Sequence, residues 1–387
     1  MDILLNILLI MMVIYLGLLI WLIIGNIFPD TKKSKSEFPP VSIIVAIRNG
    51  ENSLPHLIAD LSGQRYPGKL EFILVDDESQ DSTSQIIQDI AKKDRRFIYE
   101  ISTNGDDSLQ LKKRALDAGI SKAQNEWLLF TDVDCRVTSS WVAGMAGYFS
   151  SGIDYVIGHS IVKSGKTLLN IFQSLDYCLL LIAARGATNL RTPWACTGQN
   201  QAYRKSLFQK VEGFSRINNQ LQGDDSLFLN LCRNWGKAVV VFADDAQSHV
   251  IARQEKTWIS LLYQRLRWSG DINIMWKINV GFYLLMWGFF LLHLTFVSLF
   301  CISILYPYYL TVLVKYLTLK FILEFLLYFS GSHQLKQTLQ FKKFVLWFFL
   351  HIPYIVFMGA GSITYMAHKL FNSRLVAILA ASQIVPS

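Results

Sequence analysis

The sequence predicts an α/β domain with a mostly parallel sheet, joined to transmembrane helices, one at the amino terminus and about three at the carboxyl terminus. Two patterns carry this expectation. From Val41 onward, short apolar runs alternate with helical segments, the order of a parallel sheet covered on both faces. Towards both ends, apolar stretches run for about twenty residues or more, enough to cross a bilayer. The composition agrees, because 52% of the 387 residues are hydrophobic and these are clumped rather than spread.

Taken in order, residues 3–28 form an almost unbroken apolar segment. No basic residues precede it and no small-x-small cleavage site follows it, so an anchor is expected rather than a signal peptide. Lys32, Lys33 and Lys35 come after it, in a polar linker over residues 29–40. By the positive-inside rule the amino terminus faces out and the next domain is cytoplasmic. Strands are expected at 41–46, 70–75, 97–101 and from Trp127, with helices at 53–64, 82–92 and 109–123. The stretch 168–184 is apolar but interrupted by Asn170, Gln173 and Asp176, which favours a buried or interfacial helix over a membrane span. Residues 194–203 read as a polar loop, and Gln222 to Asp225 precede a helix at 226–235.

Residues 254–277 read as an amphipathic helix resting on a membrane face, followed by spans near 280–305, 308–328 and 344–366. The middle span contains Lys315, Lys320 and Glu324, costly in lipid unless paired or facing an interior; Lys320 and Glu324 are four apart and can pair. Lys336, Lys342 and Lys343 suit a cytoplasmic loop. The expected division is an anchor at 1–29, a cytoplasmic domain at 38–253, an interface helix at 254–277 and membrane helices at 278–368.

The formal charge of +8 comes without a basic block interleaved with aromatics, so no nucleic-acid partner is expected. A cytoplasmic membrane face and a diphosphate-bearing ligand account for the excess equally well. Five widely spaced cysteines with no CxxC pair point to neither a zinc site nor a disulfide framework, which suits a reducing compartment. Gly165-Lys166-Thr167 looks like the end of a phosphate loop, but Ser160 occupies the position of the first glycine.

In parallel sheets ligands bind outside the carboxyl ends of the strands, where Asp76, Asp77, Asp132 and Asp134 fall. Asp132 and Asp134 are two apart, so on a strand both point one way and invite a hard divalent cation. Asp76 and Asp77 can accept hydrogen bonds from a nucleotide or cap the turn that follows. Lys112 offers a cation or sits on a solvated helix face. Asp224 and Asp225 can serve a proton transfer or cap a helix. Gln264, Arg267 and Trp268, at i, i+3 and i+4, share one helix face.

Five segments occur in a telling order: residues 41–51 (VSIIVAIRNGE), Val75-Asp76-Asp77-Glu78-Ser79, Asp132-Val133-Asp134, Gly223-Asp224-Asp225 and Gln264-Arg265-Leu266-Arg267-Trp268. Together with the amino-terminal anchor and the membrane-bound tail, they resemble membrane-bound family 2 glycosyltransferases over roughly residues 38–270. That family includes cellulose, chitin and hyaluronan synthases and ceramide glucosyltransferases. The resemblance implies a GT-A fold and inverting transfer from a nucleotide-sugar donor, a UDP-sugar being expected. It implies Mg2+ or Mn2+ on Asp134 and Asp132, nucleotide contacts from Asp76 and Asp77, and a cation from Lys112. Leu111 and Asp117 stand where the family usually has glycine and asparagine. Asp225 is implied as the base with Asp224 beside it, and Gln264 and Arg267 as partners of the leaving diphosphate. Trp268, with Gly198 and Asn200 of the Thr197–Arg204 segment, is implied on the acceptor side. Four expected spans are few for a polymer channel in a monomer, though an oligomer could supply one. A lipid or lipid-linked acceptor among membrane lipids is therefore expected, with a polysaccharide synthase as the alternative and a non-catalytic membrane scaffold as the rival.

Overall fold

A computed structural model describes residues 2–28, 38–220 and 223–382, with side chains described for these except at 2–4, 270–273 and 364–382. The linker lysines Lys32, Lys33 and Lys35, and Gln222, lie outside the described residues. The chain divides into two compact units, one of Leu18–Gln254 with Leu323–Phe341, the other of Met1–Gly17, Glu255–Ile322 and Lys342–Ser387.

The helix α1 (Asp2–Ile27) is followed by β1 (Val41–Ile47), α2 (Leu54–Ser62), β2 (Leu70–Asp76), α3 (Thr83–Lys93), β3 (Phe97–Ile101), α4 (Lys112–Lys122) and β4 (Trp127–Phe130). Then come β5 (Arg136–Val137), α5 (Trp141–Ala146), β6 (Tyr155–Gly158), β7 (Ser160–Val162), α6 (Leu168–Asn189) and β8 (Gln201–Arg204). The first unit also holds α7 (Lys205–Lys210), α8 (Ser226–Asn234), β9 (Val240–Ala243) and β10 (Val250–Ala252).

Seven strands form one sheet in the order β3-β2-β1-β4-β8-β6-β9. All run parallel except β8, which is antiparallel to both neighbours. The apolar runs of β1 and β2 are almost wholly buried, as a sheet covered on both faces requires. Trp127 on β4 stacks on Phe149 at 4.0 Å, and Phe72 packs on Phe97 at 4.7 Å. A second, three-stranded sheet has the order β5-β10-β7. The segment expected as a loop at 194–203 ends instead in β8, a central strand. Its Gln201 and Arg204 hide the apolar alternation by which strands are recognised.

The helix α6 runs longer than expected, from a Thr167 cap that accepts from the Asn170 backbone N–H. It is long and apolar enough to cross a membrane, yet 72% of it is buried inside the protein, which fits the expected buried helix. Its fully buried Arg185 donates to the Asn26 carbonyl at 3.0 Å and side-chain oxygen at 3.1 Å, and pairs with Asp244 at 2.9 Å. A Cβ on Gly25 would lie 2.1 Å from the Gly186 carbonyl, so only glycine allows α1 this close to α6. The end of α1 is thereby packed against α6.

The other unit carries α9 (Trp258–Ile278), α10 (Val280–Ser303), α11 (Tyr308–Gln334) as far as Ile322, and α12 (Phe341–Ser382) from Lys342. Besides the α6 helix, Leu5–Ile27, Val280–Ser303 and Phe341–Ile363 are long and apolar enough to cross a membrane, and only 22–33% of each is buried. The expected span at 308–328 falls on α11, a long helix that does not join this set because its lysines and glutamate lower its apolar character. Lys320 and Glu324 are both buried, and the Lys320 ammonium lies 4.5 Å from the centre of the Phe348 ring.

Candidate active site

The site begins where β1 and β2 end together, with Ile47 paired to Asp76 and the Asp77 N–H donating to the Ile47 carbonyl at 2.7 Å. The two loops that follow are joined by hydrogen bonds. Asn49 N–H donates to Ser79 Oγ at 3.0 Å, Gln80 N–H to Asn49 Oδ1 at 2.9 Å, and Glu51 N–H to Asp81 Oδ2 at 3.1 Å. The neighbouring acids Asp76 and Asp77 divide in role. Asp76 Oδ1 accepts from the Ser79 N–H at 3.1 Å and so holds its own turn. Asp77 lines a polar cavity of about 450 Å³ with Arg48, Glu78, Ser102, Gln110 and Arg114.

The strand β4 stops at Phe130, and Asp132 to Asp134 form a turn in which Cys135 N–H donates to the Asp132 carbonyl at 3.1 Å. The two carboxylates converge because the chain turns, not because strand residues alternate. Ligand atoms of Asp132, Asp134 and Cys135 lie within 4.8 Å of one another. Burial, and then the charge of Asp132, push the Asp134 carboxyl upward in pKa, with Arg253 opposing. Arg253 follows β10, whose Ile251 pairs with Arg136 of β5, and nothing in the sequence marked it. Burial and both acids push the Cys135 thiol well up, so it stays a neutral thiol. The pair therefore offers oxygen ligands alone, the donor set of a hard divalent cation.

Lys112 opens α4 directly after Leu111, which has φ 51° and ψ −139°. A side chain is strained there and glycine is not, which explains the glycine expected at this position. The Lys112 ammonium lies 2.8 Å from Asp132 Oδ1 and 2.9 Å from Asp224 Oδ2, joining the β4 turn to the start of α8. A Cβ on Gly198 would lie 3.0 Å from Asp224 Oδ2 and 3.2 Å from Lys112 Nζ.

Asp225 caps α8, accepting from the Ser226 N–H. Its carboxyl is pushed up to about 6, first by burial and then by the charge of Asp224, against the pull of Ser226, Lys112 and the Gly198 backbone. Cap and titrating acid are thus the same residue.

Asn200 does not take the place expected of it. It is fully buried, its Nδ2 donates to the His159 and Ser248 carbonyls at 2.8 Å each, and its Oδ1 accepts from Trp141 Nε1 at 3.1 Å. Both amide protons are committed to backbone, so it joins the two sheets and does not face a ligand. Gly198 alone of that pair borders the acids.

Gln264, Arg267 and Trp268 lie on α9, in the other unit. The helix starts at a capping box between Thr257 and Ser260, and it presents Ile259, Tyr263 and Trp276 outward. Arg267 is exposed, Gln264 Nε2 donates to Glu255 Oε1 at 3.0 Å, and the buried Arg265 stacks over the Trp268 ring at 4.2 Å.

Residues 42–212 match the family described as Glycosyl transferase family 2. That stretch, somewhat under half of the chain, is similar to family 2 glycosyltransferases. Among curated relatives, the probable glycosyltransferase YdaM of Bacillus subtilis is 25% identical over 267 residues, covering 66% of this chain and 60% of its own length. The GalNAc(5)-diNAcBac-PP-undecaprenol beta-1,3-glucosyltransferase of Campylobacter jejuni is 26% identical over 135 residues, covering 35% and 42%. The chain thus spans less than two thirds of the length of either relative. Among solved structures, a mannosyltransferase from Pyrobaculum calidifontis in complex with GDP-Man and Mn2+ is similar with a TM-score of 0.58. The identity is 14%, and the likeness covers 93% of this chain and 99% of that one. It shows that the fold is shared, a GT-A sheet with appended helices.

Proposed function

We propose that this chain is an inverting glycosyltransferase that moves a sugar from a nucleoside diphosphate sugar to a lipid or lipid-linked hydroxyl at the cytoplasmic face of a membrane. The observation that carries this reading is the grouping of Asp132 and Asp224 through the bridging Lys112 ammonium, at 2.8 and 2.9 Å, with Asp225 next in the chain. In this reading residues 38–253 are the catalytic domain, 254–277 the interface helix, and 1–29 and 278–368 the membrane part.

Asp77 and Arg48 hold the nucleoside in the polar cavity, and Lys112 faces the diphosphate. A Mg2+ or Mn2+ ion on Asp134 and Asp132 would offset the charge that gathers on the leaving diphosphate. The acceptor oxygen attacks the anomeric carbon from the far side as the bond to the diphosphate oxygen breaks, and the acceptor proton passes to the Asp225 carboxylate. A carboxyl near 6 is ionised at neutral pH yet basic enough to take that proton. Gln264 and Arg267 serve the leaving diphosphate, Trp268 stacks on an acceptor sugar, and Gly198 leaves room beside the base. A lipid-linked acceptor is supported by the apolar helices and by the name of the Campylobacter jejuni relative, which specifies an undecaprenol-linked glycan.

The test uses membranes containing the full chain, a panel of labelled UDP- and GDP-sugars, and Mg2+ or Mn2+. Metal-dependent release of nucleoside diphosphate, with label entering the organic-extractable fraction, is the expected result. Long water-soluble polymer would replace the lipid acceptor with a polysaccharide synthase. Absence of metal-dependent turnover with every donor would overturn the enzyme reading.

A further inference from the structure

Lys112 stands where the metal reading needs Asp132 to be available. Its ammonium is shared between Asp132 and Asp224 at 2.8 and 2.9 Å, and backbone geometry holds it there. On one side Leu111 fixes the start of α4 at a positive φ of 51°. On the other, the Gly198 backbone lies so close that a Cβ would meet the ammonium at 3.2 Å and the Asp224 oxygen at 3.0 Å. The side chain is 35% exposed, yet its ammonium is held between two carboxylates rather than left on a solvated helix face.

We propose that Lys112 is an internal cation that closes the metal site of the free enzyme and gives up Asp132 only when the divalent ion arrives with a donor diphosphate. The inference rests on the reading of Asp132 and Asp134 as metal ligands. Asp132 cannot serve both cations at full strength, because an ammonium 2.8 Å away repels a divalent ion brought to the same carboxylate. A diphosphate removes that repulsion by giving the released ammonium a new anion, so metal and donor bind together. Lys112 remains on Asp224, leaving Asp225 as the acid without a direct ion pair to it. This makes Lys112 a positioning residue that sets the order of binding, in addition to its contact with the donor.

The experiment measures Mn2+ binding to the detergent-solubilised full chain without nucleotide, from the electron paramagnetic resonance signal of free Mn2+. Lys112→Met and Lys112→Gln are expected to bind Mn2+ at least about fivefold more tightly than the wild type, since a nearby positive charge is removed. Lys112→Arg, which keeps the charge, is expected to stay within about twofold of the wild type. Unchanged or weaker binding in both neutral variants would overturn the proposal. Asp134→Asn in the same assay separates the two readings. If it abolishes Mn2+ binding while the neutral Lys112 variants match the wild type, only the role of Lys112 fails. If Asp134→Asn binds Mn2+ as the wild type does, the metal reading itself fails and the Lys112 proposal with it.

Discussion

The half of the sheet made by β1 to β4 and the half made by β6, β8 and β9 follow different rules. In the first half, strands β1 and β2 of seven residues each are mostly apolar and buried, all four strands are parallel, and acids sit where two of the strands end or just beyond. In the second, the strands are only four residues long, β8 carries Gln201 and Arg204 and runs backwards, and the side chains that matter sit in connecting loops. The difference teaches that residues at the ends of long buried strands are placed by hydrophobic pattern. Residues between short strands are placed by individual hydrogen bonds, as Asn200 is.

The sharpest way to break that comparison is Asn200→Ala. It takes away the Asn200 donor to the Ser248 carbonyl and the acceptor of the Trp141 N–H, both in the interior, while the His159 carbonyl keeps the Val250 N–H at 3.0 Å. The expected cost is about 2–4 kcal/mol, read as a lower unfolding temperature in detergent. An unchanged unfolding temperature with a raised KM for acceptor would return Asn200 to the ligand side. A smaller effect is expected at the edge of the first half. Leu111→Gly relieves a side chain held at φ 51° and should stabilise the protein by about 1 kcal/mol. A loss of stability there would mean that packing of Leu111 outweighs its backbone strain.

Much of the first half was legible in the sequence. The boundaries expected for β1, β2, α3 and β3 lie within a residue of those observed, because burial on both faces and flanking polar residues leave little choice. Asp132 and Asp134 were placed together correctly but by the wrong geometry, since a turn rather than strand alternation brings them together. The helix expected from residue 109 starts at Lys112 because Leu111 cannot be helical at its observed angles. Arg185, Asn26 and Arg253 gave no signal. Their partners Asp244 and Asp134 lie far away in the chain, and only the folded topology brings them close. The division of labour between Asp76 and Asp77 was likewise invisible, because both readings suit an aspartate at a strand end.

The central claim is that the acids beyond β4 and at the start of α8 carry out one transfer, with Asp225 taking the proton. The most direct test is the pH dependence of nucleotide-sugar turnover in the wild type and in Asp225→Asn, with donor binding measured alongside. A base must be ionised to act, so wild-type turnover should fall as the pH drops through about 6. Asp225→Asn should be slower by about 10²–10⁴-fold, without that inflection and with donor affinity retained. Equal turnover in the two proteins, or the same inflection in both, would contradict the account.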